Sequence, residues 1–368
     1  MSPAMRTPLC DKLGCRFPIV QTAMGWVADA NLVAATCNAG GFGFLAAATI
    51  PSARLESEIQ KVLLQTDQPF GLNFHMFQPN AAEVVELAIR YKVRAVSYGR
   101  GPDRATIERF KAAGIVCMPT VGGVRHAIKA VELGADVVTV QGAEGGGHTG
   151  GVPTTILLPQ VLDAVAVPVV AAGGYCDGRG LASALAAGAV GVAMGTRFLM
   201  TEESPVPPAT LGRYLAVSDA ASIRVSRAID GLPQRVIENP LLLELERKNR
   251  IMGVWHAIES SVRWKVRGGL TWREWISVAS EALRATRRGE ISINEALQAA
   301  NAVQLIQKAM VDGMPEAGVL PSGQVASRIE SLPSCSDLVN EIIEEACECL
   351  NRMLERTSWR CEAREAVC

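Results

Sequence analysis

Between residues 18 and 200 the chain repeats one rhythm of apolar and polar positions. A short run of apolar and β-branched residues ends in Gly, Asn, Pro or a polar side chain. An Ala-rich segment with helical spacing follows. Residues 18–22, 42–46, 70–74, 94–97, 115–119, 136–140, 168–172 and 190–194 read as strands. Residues 29–38, 52–65, 80–91, 103–113, 123–133, 154–165 and 177–187 read as the helices between them. Alternating strand and helix units predict a parallel sheet. Eight strands in unbroken succession predict an α/β fold closed as a (β/α)8 TIM barrel rather than an open sheet. Gly40, Gly114, Gly134 and Gly188 each fall just past a helix, where a left-handed residue ends the turn.

The texture changes after Thr196. The Pro-rich stretch 201–210 reads as a loop, and residues 211–310 carry four of the six tryptophans, many arginines and long amphipathic spacings. That stretch reads as a helical C-terminal insertion packed on the barrel. The expected division is therefore a barrel over 1–210, a helical subdomain over 211–310, and a return segment over 311–368. The last part opens on a Gly-rich loop at 316–324 and ends in an amphipathic helix at 337–356, followed by a loose tail from 357.

Composition narrows the function classes. With 49% hydrophobic and 20% charged residues a large core is expected, not disorder. A net charge of −1 gives no electrostatic case for nucleic acid or an anionic membrane. The N-terminus lacks the apolar core of a secretory signal, and no apolar run reaches the roughly 18 residues of a membrane span. A cytoplasmic protein is expected, with its ten cysteines reduced and no CxxC pair among them to suggest a metal.

In a barrel of this type, chemistry sits on the loops after the strands. The first such loop holds Ala23, Met24 and Gly25, the third begins near Asn73, and the sixth begins at Gln141 and continues as GAEGGGHTGG. Six glycines in the sixth loop let backbone approach a ligand closely, and His148 in their midst exchanges protons near neutral pH. Gly173 and Gly174 follow the seventh strand, and Gly195 and Thr196 the eighth, where many barrels hold a phosphate on backbone amides. No second histidine stands at ligand spacing from His148, so zinc is not expected. Residues 145–150 match GxGxxG, but they lie in the sixth unit and run into Val152-Pro153. A dinucleotide fingerprint opens directly into a helix.

The segments QTAMGW, NAGGFGFLAAAT, PFGLNF, VVTVQGAEGGGHTGG and VPVVAAGGYCDGRGLASALAAGAVGVAMGTRFL together resemble the nitronate monooxygenase family, formerly 2-nitropropane dioxygenases. The family includes flavin-dependent enoyl reductases of the same fold. The resemblance implies bound FMN. Ala23, Met24 and Gly25 would line the flavin ring, with Asn73 and Gln141 hydrogen-bonding it and Gly146 clearing space. Gly173, Gly174, Gly195 and Thr196 would hold the phosphate. Ser322, Gly323 and Gln324 would return to the cofactor, and His148 would be the catalytic acid/base. Ala23 departs from the family's usual proline. The motifs GLPQRVI, TWREW, EAGVLPSGQVAS and LPSC resemble a subgroup of actinobacterial flavoproteins that act on CoA thioesters in steroid ring C/D breakdown.

The expectation is thus an FMN oxidoreductase acting on a C–C bond next to the carbonyl of a CoA-linked small molecule. NAD(P)H would be its electron partner and a homodimer its assembly. Arg224, Arg227, Arg235, Arg263, Lys265 and Arg267 are candidates for CoA phosphates, although a solvated helical face accounts for them as well. The alternatives are oxidation of alkyl nitronates with O2, enoyl or quinone reduction with NAD(P)H, and a flavin-binding sensor without turnover.

Overall fold

The computed structural model describes residues 5–76, 78, 80–99, 101–247 and 293–356. Eight parallel strands form the expected barrel. They are β1 (Ile19–Gln21), β2 (Phe42–Leu45), β3 (Gly71–Phe74), β4 (Ala95–Tyr98), β5, β6 (Val138–Gln141), β7 (Val169–Ala172) and β8 (Gly191–Met194). β5 is one strand in two halves, Val116–Cys117 and Thr120–Val121, which pair with β4 and β6 respectively. Between them Met118 donates its N–H to Val96 O at 2.9 Å, and Pro119 O accepts from Thr139 N at 2.8 Å. Proline has no N–H to give the ladder, so the strand breaks there without opening the barrel. The strand expected to stop at Pro119 runs on to Val121. β1 pairs with both β2 and β8, which completes the ring.

Strand alternation sorts the two faces. Val20, Phe42, Phe44, Ala95, Met118, Val137, Val170, Ala172 and Ala193 form the interior cluster. Leu9, Cys10 and Leu13 belong to the same cluster, so the short helix Pro8–Leu13, which sequence reasoning did not anticipate, plugs the floor. The other face of β6, β7 and β8 (Val138, Val140, Val169, Ala171, Val192) packs beneath helix residues such as Leu157, Val161 and Leu181. Helix ends follow the glycine reading: Gly40, Gly114, Gly134 and Gly188 have φ of 96°, 75°, 113° and 101°. Asp29, Asp103 and Asp177 cap the starts of three helices through N–H groups of Leu32, Thr106 and Gly180.

The C-terminal helix Cys335–Arg356 is tied to the last α/β unit. Gly178 begins the helix after β7, and a Cβ there would overlap Ala346 N and Ile342 O. Glu345 accepts the Gly178 N–H at 2.7 Å.

The stretch read as a helical insertion is mixed. Helices Pro208–Leu215, Pro240–Arg247 and Ile293–Met310 are present, the first starting inside the expected 201–210 loop. Residues 223–226 and 234–237 are instead two antiparallel strands. Gly147–His148, from the glycine loop, adds to the edge of this hairpin with Gln234 opposite His148. The reason is local: Ile223 and Val225 alternate with Arg224 and Ser226, and Asp230-Gly231 turns the chain, with Gly231 at φ 87°. Ile229, Val236, Leu242, Leu305 and Val319 form a small satellite core under it. The four tryptophans Trp255, Trp264, Trp272 and Trp275 lie outside the described residues, as do Arg263, Lys265, Arg267 and the tail from 357.

Candidate active site

The barrel mouth is built from strand ends whose register points alternate residues inward. Asn73 shares its strand face with Gly71, and Gln141 with Thr139 and Val137. Asn73 Nδ2 donates to Ser97 O at 3.1 Å and lies 3.3 Å from Ser97 Oγ. Gln141 Nε2 donates to His148 O at 3.0 Å. Each amide nitrogen is anchored by the protein.

Three distant segments meet above them. A Cβ on Gly146 would stand 2.6 Å from Gly323 N and Ser322 C. A Cβ on Gly323 would stand 3.1 Å from Glu144 O and 3.3 Å from Thr196 Oγ1. Hydrogen bonds hold the junction: Gly323 N–H donates to Thr196 Oγ1 at 2.9 Å, and Gln324 N–H to Glu144 O at 3.0 Å. Ser322 is fully buried, with its N–H on Arg235 O. Gly146 is thus required by close backbone approach, and Gly323 stands where a Cβ would be tightly packed.

Glu144 secures the loop to the next unit. Its carboxylate accepts the Thr154 N–H at 2.9 and 3.1 Å and lies 2.7 Å from Thr154 Oγ1. The same hydroxyl lies 2.9 Å from Gly173 O. Gly173 and Gly174 have φ of 92° and 88°, a conformation that favours glycine. The amides of Gly174 and Thr196 meet no protein acceptor among the described residues. Met24 lies beside Gly195, whose Cβ would stand 3.6 Å from Met24 Sδ. Ala23 packs against the interior cluster, and Gly25 sits against Thr49. The expected residues at 23–25, 146, 173–174, 195–196 and 322–324 are therefore connected through these loop contacts, and Asn73 and Gln141 face the interior below.

His148 has partners that sequence reasoning did not name. Its Nε2 lies 2.7 Å from Asp230 Oδ2, on the hairpin turn, while His148 is 59% exposed and Asp230 6% exposed at the side chain. Gln234 donates to the same carboxylate, and the Leu232 N–H bonds Oδ1 at 3.0 Å. Burial pushes the Asp230 carboxyl up, but the hydrogen bonds from His148, Leu232 and Gln234 outweigh it and hold the group below its ordinary value. Asp230 and Gln234 both stand in the segment GLPQRVI and the residue before it. The signal that could have found them is the Asp-Gly turn between alternating strands.

Two of the proposed CoA arginines are already engaged. Arg224 pairs with Glu238 and Glu246 at 2.5 and 2.8 Å. Arg235 is buried, donating to Ala143 O and Ile223 O at 2.9 and 3.1 Å. Arg227 is exposed on the hairpin. A cleft of about 260 Å³ opens beside Gly174, lined by Asp177, Arg179 and Arg328 among others. Asp177 pairs with both arginines at 3.0 Å and Glu345 with Arg179 at 3.1 Å, so two carboxylates offset the two guanidinium charges. No helix among the described residues is long and apolar enough to cross a membrane.

Comparison with known proteins adds to this geometry. A family model described as nitronate monooxygenase matches residues 6–345. The chain is 46% identical over 345 residues to a Mycobacterium tuberculosis protein named "(3aS,4S,5R,7aS)-5-hydroxy-7a-methyl-1-oxo-octahydro-1H-indene-4-carboxyl-CoA dehydrogenase", covering 93% of this chain and 96% of that one. A Rhodococcus jostii protein of the same name is 45% identical over 342 residues, with the same coverage. A Staphylococcus haemolyticus protein named "Probable nitronate monooxygenase" is 36% identical over 243 residues, but covers only 53% of this chain and 68% of its own. Among solved structures, FabK from Thermotoga maritima superposes with a TM-score of 0.78 at 28% identity, covering 96% of this chain and all of that one. A nitroalkane oxidase from Streptomyces ansochromogenes gives 0.71 at 28%, covering 94% and 99%.

Proposed function

The chain belongs to the nitronate monooxygenase family of FMN-dependent oxidoreductases, and we propose that it is a dehydrogenase of a CoA thioester carrying a steroid-derived bicyclic ring, acting on the C–C bond next to the thioester carbonyl. The observation that carries this reading is identity sustained over nearly the whole chain: 45 and 46% over 93% of it, against 28% for the nitroalkane oxidase that superposes over 94%. The indene-carboxyl-CoA dehydrogenases match 93% of the chain, so their likeness takes in both the barrel and the C-terminal part that bears the hairpin and the return loop. The Staphylococcus haemolyticus protein matches little more than half. A methylated oxo-octahydroindene is the chemistry of the last two rings of a steroid.

The residues fit FMN. Gly146 and Gly323 let the 144–146 and 322–324 backbones meet at the barrel rim, and the amides of Gly174 and Thr196 supply donors suited to a phosphate. In this reading Gly173, Gly174, Gly195 and Thr196 hold the phosphate. Ala23, Met24, Gly25, Asn73, Gln141 and Gly146 surround the ring, and Ser322, Gly323 and Gln324 close over it. Bound FMN supplies a two-electron acceptor for the hydride of the substrate's β-carbon. His148 takes the proton from the α-carbon, which the neighbouring carbonyl acidifies, and a Cα=Cβ double bond results. The glycine loop is held against residues 322–324 by the Gln324 N–H to Glu144 O bond, and NAD(P)+ is the proposed final acceptor.

The test mixes the flavin-loaded protein, without oxygen, with the hydroxy-methyl-oxo-indene-carboxyl-CoA thioester. The expected result is bleaching of the flavin absorbance, and NAD(P)H formation when NAD(P)+ is added. No bleaching, together with rapid oxygen uptake on an alkyl nitronate, would overturn the proposal in favour of nitronate oxidation.

A further inference from the structure

His148 has two ring nitrogens, and only one of them can take a substrate proton while the other is held by protein. Nε2 is the one that is held: Asp230 Oδ2 lies 2.7 Å away. An ionised carboxylate only accepts, so the nitrogen facing it carries the hydrogen. Gln234 Nε2 also lies 3.3 Å from His148 Nε2. It is not a rival donor to a bare ring nitrogen, because a bare Nε2 would then face the Asp230 oxygen lone pair against lone pair. The Gln234 amide orientation is fixed in the same way. Its NH2 faces the carboxylate, since an amide oxygen there would repel it.

The other charged groups nearby are committed elsewhere. Glu144, the carboxylate closest to His148 in sequence, is spent on Thr154 N–H and Oγ1. Arg235 is fixed on two backbone carbonyls. Asp230 itself has no freedom to turn away: Oδ1 is bound by the Leu232 N–H, and Oδ2 by Gln234 and His148. His148 Nδ1 meets no protein partner among the described residues.

We propose that Asp230, locked by Gln234 and the Leu232 amide, is the positioning residue that holds His148 as the Nε2–H tautomer and makes Nδ1 the nitrogen that accepts the substrate's α-proton. This rests on the reading of His148 as the acid/base, and deepens it. The carboxylate also stabilises the imidazolium that forms once Nδ1 has taken the proton. In that step the Cα–H bond breaks, the new bond is Nδ1–H, and the electron pair of Cα–H passes into the Cα=Cβ bond as the β-hydride leaves to the flavin. The hairpin thus supplies a working part of a site whose histidine belongs to the barrel loop.

The experiment is 15N NMR on flavin-loaded protein labelled at histidine. The chain has four histidines, and His148→Gln assigns the signals of interest. The expected result is a protonated, pyrrole-type Nε2 and an unprotonated, pyridine-type Nδ1 for neutral His148. In Asp230→Ala the two nitrogens should move toward the averaged values of a free imidazole. The kcat on the indene-carboxyl-CoA thioester should fall about ten- to a hundredfold while KM changes little. Asp230→Asn keeps an acceptor oxygen without the charge, so it should keep the tautomer yet lose rate. A pyrrole-type Nδ1 in the native protein overturns the proposal without any variant. So does Asp230→Ala with native nitrogen signals and native kcat. If His148→Ala turns over at the native rate, the acid/base reading itself fails, whereas the tautomer measurement still judges the role of Asp230.

Discussion

Replacing Gly146 by alanine tests whether the contact between two loops forms the cofactor cradle. Gly146 does not have a positive φ, so alanine meets no conformational penalty there. The consequence is purely steric. The new methyl would sit 2.6 Å from Gly323 N and Ser322 C and 3.0 Å from Ser322 Cα. These are backbone atoms, which cannot rotate aside as a side-chain tip does. Overpacking of this kind costs about 1–3 kcal/mol. The barrel strands lie below the contact, so the strain is relieved by parting the loops at 144–146 and 322–324. At about 1.4 kcal/mol per tenfold, FMN binding should weaken roughly 5- to 150-fold. The assay is a fluorescence titration of flavin-free protein with FMN, beside a thermal melt of the same preparation. Gly151→Ala is the control, because a Cβ there meets no atom within 4 Å and the backbone is not left-handed. Unchanged FMN affinity in Gly146→Ala, with an unchanged melt, would refute the reasoning that these loops hold the cofactor.

Three further outcomes are expected. His148→Ala should keep FMN and lower kcat by about 10²–10⁴, and a native kcat in stopped-flow turnover would remove it from the mechanism. Asp230, held below its ordinary value, stabilises the fold above about pH 4, and this contribution fades as pH falls through its folded value. The stability gap between the native protein and Asp230→Asn, read from urea midpoints, should therefore narrow on acidification; a gap independent of pH contradicts the assignment. Gly178→Ala should push the C-terminal helix off the helix it covers and cost about 1–3 kcal/mol in urea unfolding, since Ala346 N and Ile342 O leave no room for a methyl. A native midpoint would show that the two helices separate freely.

The GxGxxG match at 145–150 shows how far a pattern carries meaning without its setting. Its glycines serve a different end from the dinucleotide turn: Gly146 admits the 322–323 backbone, and Gly147 takes φ of 67° where the chain enters the hairpin's edge. The expectation that the stretch from 211 is helical failed at 223–237 for a related reason. Tryptophans, arginines and amphipathic spacings belong to the stretch as a whole, while the strand alternation and the Asp230-Gly231 turn are local to 223–237 and decide the structure there.

The sequence by itself determined the barrel. The period of two in the strands, the helical spacing between them and the glycines that end the helices are properties of neighbouring residues, and local sterics enforce them wherever the chain goes. It also placed Asn73, Gln141, Gly173 and Thr196 at strand ends, because chain order alone sets which loops share one rim of a barrel. Only the tertiary structure decided what meets across that rim. Asp230 reaches His148 from 82 residues away, and Gly323 reaches Thr196 from 127. Such pairs have no period and no spacing to read. They exist because the hairpin and the return loop bury their own apolar faces on the barrel, and that packing brings a carboxylate to the histidine.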